Sequence, residues 1–585
     1  MKEGVMGERV RVGTTEELQK SGCLAAKVGT QPVCLFWCDG KAYAVDDRCP
    51  HMGFPLHRGT VEEGLLTCHW HHARFDLESG GTLDPFAGDV RTYPVEIDGP
   101  ELMIVVEPAA GQKDHHVARL IEGLEQGLVL VLAKSVLSLL EDLGVDEGSS
   151  VVLRTGVDFG TRYREAGWGA GLTVLTAMAN VLPVLSPDDR ARALVHGLAF
   201  VSRDTRGRPP YFPLAPLGST VPGDRLAAWY RRFVDTRNGE AAERTLATSA
   251  AGGSTVAELA AIMAAAATDH VFVDGGHTID FTNKAFEVLE HLGWESAGDV
   301  LPTLAHESAA ASRSEESGSW RHPHDLARLL ARASADLPAR IDRCTLRSFA
   351  GDEEVDSLAW AVLGEEPDAV IAALDEAADR GATAEELARA VAYAAALRLT
   401  RFHTQNDHGD WDVVHHGFTS ANAVHQMATR AGTPELVRGV YQGAMRVFLD
   451  RFLNVPAARL PAVRSEASEQ PDLSGLQQCW DQEGMVDEAG RIVYSWIRSG
   501  RDQGAAVAAL GSALLAEDAE FHWFQTYEAA VRQSAAWPQG SEQAALILAG
   551  TARFLAAHTP TRRELAQVVR IATRLRRGEP LYEQE

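Results

Sequence analysis

Two short motifs in the first hundred residues each combine a cysteine with a histidine. Cys49 and His51 form a C-x-H pair within CPHMG, and Cys68 and His71 form a C-x-x-H pair within CHWHH. Each pair is spaced so that one loop presents both side chains to the same centre. Two thiolates and two imidazoles can hold an iron–sulfur cluster in which histidine replaces cysteine on one iron. These four residues are therefore the first candidate site.

The residues around these motifs resemble those of the Rieske [2Fe–2S] domains of ferredoxins and oxygenases. Gly53 follows the first pair, and Phe75, Asp76 and the glycine turn at 80–81 follow the second. The resemblance covers residues 7–107 and implies that the cysteines bind one iron and the histidines the other. It also implies one-electron transfer at a potential of roughly −150 to +300 mV.

Further positions in the two loops indicate which type of Rieske domain the sequence resembles. High-potential Rieske proteins have one more cysteine in each loop, and these two cysteines form a disulfide. The matching positions here are Phe54 and either His69 or Trp70. The resemblance is therefore to the low-potential ferredoxin and oxygenase type. His72 stands where that type usually has glycine, and this departure bears on the geometry of the second loop.

Composition narrows the possible partners and the cellular location. The formal charge of −26 is spread along 585 residues, which disfavours nucleic acid and anionic membranes as partners. The first ten residues contain no apolar stretch, and the most apolar run, 128–140, is too short to span a bilayer. We predict a cytoplasmic protein. Five cysteines besides the two in the motifs are interpreted as free thiols in a reducing compartment, namely Cys23, Cys34, Cys38, Cys344 and Cys479.

Hydrophobic patterning divides the chain into unequal parts. Residues 7–107 contain short β-like runs separated by Gly, Asp and Pro, and 108–116 is polar and predicts a linker. From 117 to 585, Ala and Leu recur at helical spacing. We predict a multidomain protein, a small all-β domain followed by a large all-α region. The predicted helices include 117–142, and the predicted loops are 202–222, 235–252 and 455–478.

Three histidines in the helical region share a local pattern. His277, His416 and His522 are each followed by polar residues at +3 and +6. On a helix, the +3 residue shares the face of the histidine, and a metal-bound imidazole needs a hydrogen-bonding partner of this kind. We predict that the three helices converge on one metal. A fourth ligand is left open among His196, His403, Asp412 and His415.

The histidine-bearing helices resemble the questin-oxidase-like family through His196, His277, His416 and His522. The resemblance implies an all-α protein that binds a non-haem iron through several histidines and oxidises or cleaves polycyclic aromatics. Lys284 is a candidate for a carboxylated lysine. The candidate catalytic residues are Asp280, Lys284 and Asp412. The sheet-rich catalytic fold of ring-hydroxylating oxygenases is rejected, because the region is helical and Ser420 stands where their second histidine is expected.

Two kinds of function follow from these sites. In the first, an oxygenase takes electrons from a separate reductase or ferredoxin at the [2Fe–2S] cluster and relays them to a mononuclear non-haem iron, which activates O₂ on a small organic substrate. A separate donor is needed, because no GxGxxG dinucleotide fingerprint follows a strand. In the second, a non-enzymatic electron carrier or redox sensor is fused to a helical scaffold that docks partners.

Overall fold

The computed structural model describes residues 8–29, 31–106, 112–162, 167–343, 347–463, 472–577, 579 and 581. Residues 7 and 107–111, Cys344 and residues 464–471 therefore lie outside the described residues, although predictions above include them.

The chain forms two compact units. The first unit runs to Thr155 and also includes the chain from Gln567 onward, and the second runs from Gly156 to Ala566. The boundary predicted at 107 marks the end of the strands, and the first compact unit continues beyond it into helices. The predicted order, a small antiparallel β-structure followed by a large helical region, is confirmed.

Ten strands, all paired antiparallel, build the β-structure of the first unit as described. They form three sheets, in the orders β1-β10-β9, β2-β3-β4-β8 and β5-β6-β7. The strands are β1 (Glu8–Thr14), β2 (Cys23–Val28), β3 (Gln31–Cys38), β4 (Lys41–Asp46), β5 (Thr60–Glu62), β6 (Leu65–Thr67), β7 (Arg74–Asp76), β8 (Thr92–Tyr93), β9 (Val95–Asp98) and β10 (Glu101–Val106). The first ligand pair follows β4, and the second lies in the hairpin between β6 and β7.

Alternation along β3 divides the interior of the β-structure into two cores. Val33 and Leu35 face one core, and Cys34 and Phe36 face the other, because successive strand side chains point to opposite faces. The core that contains Cys34 also contains Cys49 and Cys68. The sheet therefore supports both ligand loops from beneath.

Helices account for the other elements, and two of them cross the boundary between the units. They are α1 (Thr15–Ser21), α2 (Gln112–Gln126), α3 (Val129–Leu143), α4 (Val145–Arg162), α5 (Ala170–Val181), α6 (Pro187–Thr205), α7 (Gly223–Asp235), α8 (Gly239–Ala251), α9 (Val256–Thr268), α10 (His277–Leu292), α11 (Ala297–Val300), α12 (Ala305–Ala310), α13 (Leu326–Arg343), α14 (Asp352–Val362), α15 (Pro367–Asp379), α16 (Ala384–Thr400), α17 (His408–Ala428), α18 (Pro434–Asp450), α19 (Leu476–Asp481), α20 (Val486–Arg498), α21 (Gln503–Ala516), α22 (Phe521–Ala535), α23 (Glu542–His558) and α24 (Glu564–Arg576).

In the first unit, α2 packs against α3, and the carboxyl-terminal part of α24 is hydrogen-bonded to α3. Arg576 on α24 donates hydrogen bonds to Ser138 Oγ at 2.9 Å and to Glu141 Oε2 at 2.6 Å on α3. Leu575 lies so close to the first ligand loop that a Cβ on Gly53 would be 2.8 Å from its Cδ2. These helices therefore belong to the packing of the Rieske-like segment.

In the second unit, three helices position the histidines of the predicted metal site. The helix α10 begins at His277 and packs against α17, and α17 packs against α22. The turn before α10 has a positive φ at Phe272 (43°) and at Gly276 (97°). A Cβ at Gly276 would lie 2.7 Å from Ser420 Cβ on α17, so only glycine allows this close approach. Strained backbone of this kind is typical of functional sites.

Three element predictions were wrong, each for an identifiable reason. The linker predicted over 108–116 is helical from Gln112 onward, because its polar residues form the first turn of α2, where Asp114 suits the amino-terminal end of the helix dipole. The single helix predicted over 117–142 is broken into α2 and α3 at Gly127, whose φ is 68°. The loop predicted over 235–252 contains α8, where the Asn238 side chain caps the helix by accepting a hydrogen bond from the Ala241 N–H. Among the described residues, no helix has both the length and the apolar character needed to cross a bilayer.

Candidate metal centres

The two ligand loops of the first unit have the same backbone hydrogen bonds. The Cys49 N–H donates to Phe54 O at 2.8 Å, and the Gly53 N–H donates back to Cys49 O at 2.8 Å. In the second loop, the Cys68 N–H donates to Ala73 O at 2.8 Å, and the His72 N–H donates to Cys68 O at 3.0 Å. Each loop therefore folds back on its cysteine and presents the nearby histidine beside it.

His72 adopts the conformation that glycine has in the first loop. Gly53 has φ 80°, and His72, at the equivalent position of the second loop, has φ 60°. A side chain in this left-handed region costs about 1 kcal/mol. The departure noted in the sequence therefore leaves the loop geometry intact at the expense of local strain.

The two cysteines lie together in the core beneath the loops. Cys49 and Cys68 are buried, and the Cys49 thiol donates a hydrogen bond to Cys68. This bond, helped by the N–H groups of Trp70 and His71, lowers the pKa of Cys68 to about 6. The thiolate form, which binds iron, is therefore favoured at neutral pH.

The two histidines complete the set of four ligands. The rings of His51 and His71 lie edge to face with centroids 4.8 Å apart. Burial, assisted by Lys134 and His71, lowers the pKa of His51 to about 4, so its ring is neutral, and its Nδ1 atom is buried with no hydrogen-bond partner among the described residues. His71 is exposed and packs beside Trp70. Two thiols in contact and two imidazoles in contact, carried by the same two loops, fit a [2Fe–2S] cluster.

The second unit brings His277, His416 and His522 together. One nitrogen from each imidazole lies within 4.8 Å of the others, and the Nε2 atoms of His416 and His522 are 3.0 Å apart. The ring of His277 stacks on that of His522 with centroids 5.6 Å apart. Three helices that are distant in sequence thus present three nitrogens to one point.

Asp412 and His415 lie next to the same cluster. Together with His522, they form a second group whose ligand atoms are within 4.8 Å of one another. His415 is fully buried, its ring centroid is 4.2 Å from those of His416 and His522, and neither of its nitrogens has a hydrogen-bond partner among the described residues. Of the four candidates for a further ligand, the structure thus brings two to the cluster.

His196 and His403 do not join these groups. His196 is buried elsewhere, with its Nε2 atom 3.3 Å from Leu515 O and its ring against Phe524. His403 Nδ1 accepts a hydrogen bond from the Gln405 N–H at 3.1 Å. The predicted ligand role of His196 is therefore not supported by its position.

The histidines at the cluster are held neutral. Burial lowers the pKa of His416 to about 2, with smaller contributions from the neighbouring histidines and Arg446. Burial also lowers the pKa of His522 to about 4, with a smaller contribution from His277. The pKa of His415 is lowered well below its usual range for the same reasons. Neutral imidazole is the form that binds metals.

The +3 partners of two of these histidines bond to each other. The Gln525 amide donates to the buried carboxyl of Asp280, which joins the helices of His277 and His522. Burial raises the pKa of Asp280 to about 7. The third partner, Thr419, is also buried. Asp280 and Gln525 therefore fix the relative positions of two ligand-bearing helices.

Lys284 has a different environment from the one that its predicted role requires. Its buried ammonium lies 2.7 Å from a carboxylate oxygen of both Glu287 and Glu528. These carboxylates outweigh the effect of burial and raise the pKa of Lys284. Carboxylation needs a neutral amine, so the pairing argues against a carboxylated Lys284.

One residue near the site was missed from the sequence. His558, the last residue of α23, has its Nε2 atom 3.7 Å from Asp412 Oδ1 and its ring against Trp523 and Phe554. Polar residues, Thr561 and Glu564, also follow it at +3 and +6, but Pro560 lies between and the helix ends at His558, so these residues do not share its helical face.

Comparison with known proteins identifies the part of the first unit that carries the four ligands. A family model described as the Rieske [2Fe–2S] domain matches residues 8–94. The ferredoxin component of the naphthalene 1,2-dioxygenase/salicylate 5-hydroxylase systems of Ralstonia sp is 29% identical over 93 residues, which are 16% of this chain and 89% of that protein. The ferredoxin subunit of 3-phenylpropionate/cinnamic acid dioxygenase from Photorhabdus laumondii is 38% identical over 98 residues, 16% of this chain and 91% of that protein.

A solved structure matches the same region. It is the ferredoxin of carbazole 1,9a-dioxygenase from Nocardioides aromaticivorans, with 28% identity, a TM-score of 0.16, and coverage of 17% of this chain and 98% of that one. The sequence matches and the four ligands agree on a one-electron carrier in the first unit. Through residues 8–94, the chain belongs to the Rieske [2Fe–2S] domain family.

Proposed function

We propose that the chain is a Rieske-fused non-haem iron oxygenase. Electrons from a separate reductase or ferredoxin enter at the four ligands of the first unit and pass to an iron held by histidines of the second. A non-haem iron in such a site activates O₂ on an organic substrate, and polycyclic aromatics are the substrate class that the sequence resemblance suggests. The convergence of His277, His416 and His522 is the observation that carries the proposal.

The histidine cluster has properties that a metal explains. Imidazoles buried without hydrogen-bond partners are costly, and such groups in a folded protein need an explanation. Here four imidazole rings lie together, so each ring disfavours protonation of its neighbours. Both nitrogens of His415 lack a hydrogen-bond partner among the described residues. A metal ion would satisfy these nitrogens together.

The chain's own residues then have distinct roles. His277, His415, His416 and His522 offer nitrogen ligands, and Asp412 offers the single carboxylate that a 2-His-1-carboxylate site uses. The Asp280–Gln525 bond holds two of the helices in place. Asp280 therefore acts by positioning and Asp412 as a ligand, whereas Lys284 belongs to a buried ion-pair network.

A Rieske domain suits the supply of electrons to such an iron. The relatives described above are ferredoxin components of dioxygenase systems, and in this chain the carrier is fused to the proposed oxygenase. Insertion of one oxygen atom into a C–H bond consumes O₂, two electrons and two protons, and yields water. A one-electron carrier must deliver those electrons in sequence. Among the described residues, the cysteines outside the ligand pairs are free thiols (Cys23, Cys34, Cys38 and Cys479), which favours a reducing, cytoplasmic setting.

The rival is an electron carrier or redox sensor with a helical docking scaffold. The matches that span only the Rieske segment favour it. In this case the cluster would deliver its electrons to a partner protein, and the histidines of the second unit would not affect its oxidation.

Rapid mixing with O₂ separates the two functions. The fully reduced chain is mixed with O₂, and cluster oxidation is followed by absorbance in wild type, in His416→Ala and in His196→Ala. The control removes a buried histidine that lies outside both ligand groups. We expect wild type and control to reoxidise at least about tenfold faster than His416→Ala, a difference of about 1.4 kcal/mol in the barrier. Equal rates in all three would favour the carrier.

A further inference from the structure

Helix α3 places a partly buried lysine behind the first ligand loop. Lys134 is the one charged residue in the most apolar run of the sequence, 128–140. Its ammonium donates hydrogen bonds to the carbonyl oxygens of Pro50 and, at 2.5 Å, His51. These two residues lie in the loop of the ligands Cys49 and His51. The lysine therefore contacts the backbone that carries half of the cluster's ligands.

A second cation contacts the neighbouring loop in a different way. Arg119 on α2 donates to Pro85 O at 3.1 Å and Ala87 O at 2.5 Å, on either side of Phe86, whose ring packs on His51. Arg119 also pairs with Glu122, which offsets its charge. By contrast, no carboxylate among the described residues forms an ion pair with Lys134.

The surroundings of Lys134 make its charge effective. The carbonyl oxygens of Pro50 and His51 accept hydrogen bonds from the ammonium, which is the ordinary form of a lysine side chain at neutral pH. A charge that is partly withdrawn from water acts more strongly on a neighbouring charge than one in bulk water. Helix α3 begins at Val129, beyond residues 8–94 that the Rieske family model matches. The charge is thus supplied from outside the conventional domain.

We infer that Lys134 is a positioning residue that raises the midpoint potential of the cluster held by Cys49, His51, Cys68 and His71. Reduction adds one negative charge next to an ammonium that no carboxylate among the described residues neutralises. The reduced state is therefore stabilised relative to the oxidised state. The hydrogen bonds to Pro50 and His51 hold the ammonium at the loop, so charge and position act together.

The test measures the potential of the loaded full-length chain. Cluster potentials are determined by EPR-monitored titration at pH 6.5, where the lysine is protonated, for wild type, Lys134→Met, Lys134→Arg and Lys113→Met. Lys113 is an exposed lysine of the same unit that pairs with Glu147, so its removal controls for net charge. The line shape of the EPR signal reports whether the ligands are unchanged.

We expect Lys134→Met to lower the equilibrium constant for cluster reduction about tenfold, which is 59 mV for a one-electron couple. Lys134→Arg and Lys113→Met should stay close to wild type. An unchanged potential in Lys134→Met with an unchanged EPR line shape would overturn the inference. If Lys134→Met does not load a cluster, Lys134→Gln, which keeps a donor without the charge, replaces it with the same expectation. Failure of both neutral variants to load would assign Lys134 a folding role and also overturn the inference.

Discussion

The two candidate centres hold their ligands by different means. The first uses two hairpin-like loops with matching hydrogen bonds, and one of its histidines, His71, is exposed to solvent. The second uses side chains of three packed helices and includes His415, which is fully buried. A rigid loop centre with an exposed ligand suits electron exchange with a partner. A centre assembled inside a helical bundle suits chemistry that must be kept from bulk water.

The difference also concerns what stabilises each centre before any metal binds. At the first, the Cys49–Cys68 hydrogen bond and backbone N–H donors already favour a thiolate. At the second, neutral rings crowd one another, and the neighbouring Asp280–Gln525 and Lys284 networks hold the helices. The first centre is therefore prepared by local backbone geometry and the second by long-range packing.

The largest expected effect comes from removing a thiolate. Cys68→Ser should abolish the Rieske EPR signal, because the sulfur that binds iron most readily is lost. The histidine centre should keep its metal, since its ligands lie in the second compact unit. Cys38→Ser is the matched control, a free and partly exposed thiol of the same unit, and should keep the signal. Loss of metal from both centres in Cys68→Ser would show that they are not independent.

Removal of the buried lysine tests whether it is structural. Lys284→Met removes the ammonium that pairs with both Glu287 and Glu528 and leaves Arg532 as the ion-pair partner of Glu528, which should lower the free energy of unfolding by about 3 kcal/mol. Denaturant titration of the metal-free protein measures this loss. Iron binding by the folded fraction should be unchanged and independent of bicarbonate. Iron binding that requires bicarbonate in wild type would instead restore the carboxylated-lysine role.

The pH dependence of the metal-free protein tests the neutral histidines. The pKa of His522 is about 4 in the folded chain and near 6.5 in the unfolded chain, so only the unfolded chain gains this proton between these values. Stability should therefore fall as the pH drops below about 6.5, because protons favour the unfolded state. Calorimetry should show a smaller fall for His522→Asn. An identical fall in both proteins would place the effect on other groups.

The smallest expected effect concerns the strained second loop. His72→Gly should raise the free energy of unfolding of the first unit by no more than about 1 kcal/mol, because glycine adopts φ near 60° without a steric penalty. Gly53→Ala introduces the opposite change in the first loop and should be destabilising, since its Cβ would also lie 2.8 Å from Leu575. A destabilised His72→Gly would indicate a contact of the imidazole that outweighs the strain.

The sequence predicted the first centre more fully than the second. Cys49, His51, Cys68 and His71 are encoded by local spacing, which fixes which side chains share a loop. A helical pattern identified His277, His416 and His522. The structure brings them together, although His416 and His522 are 106 residues apart in sequence. His558 and the Lys284 ion pairs depend only on tertiary packing. The contact of Lys134 with the first loop likewise required the structure, since α3 and the loop are 83 residues apart.

The central claim is that the second unit holds an iron in addition to the cluster. Mössbauer spectroscopy of the ⁵⁷Fe-loaded, dithionite-reduced full chain tests it most directly. We predict that about one third of the iron signal belongs to a mononuclear high-spin ferrous site, the rest to the two irons of the cluster, and that His416→Ala removes only that third. A spectrum in which all iron belongs to the cluster, identical in wild type and His416→Ala, would contradict the proposed oxygenase.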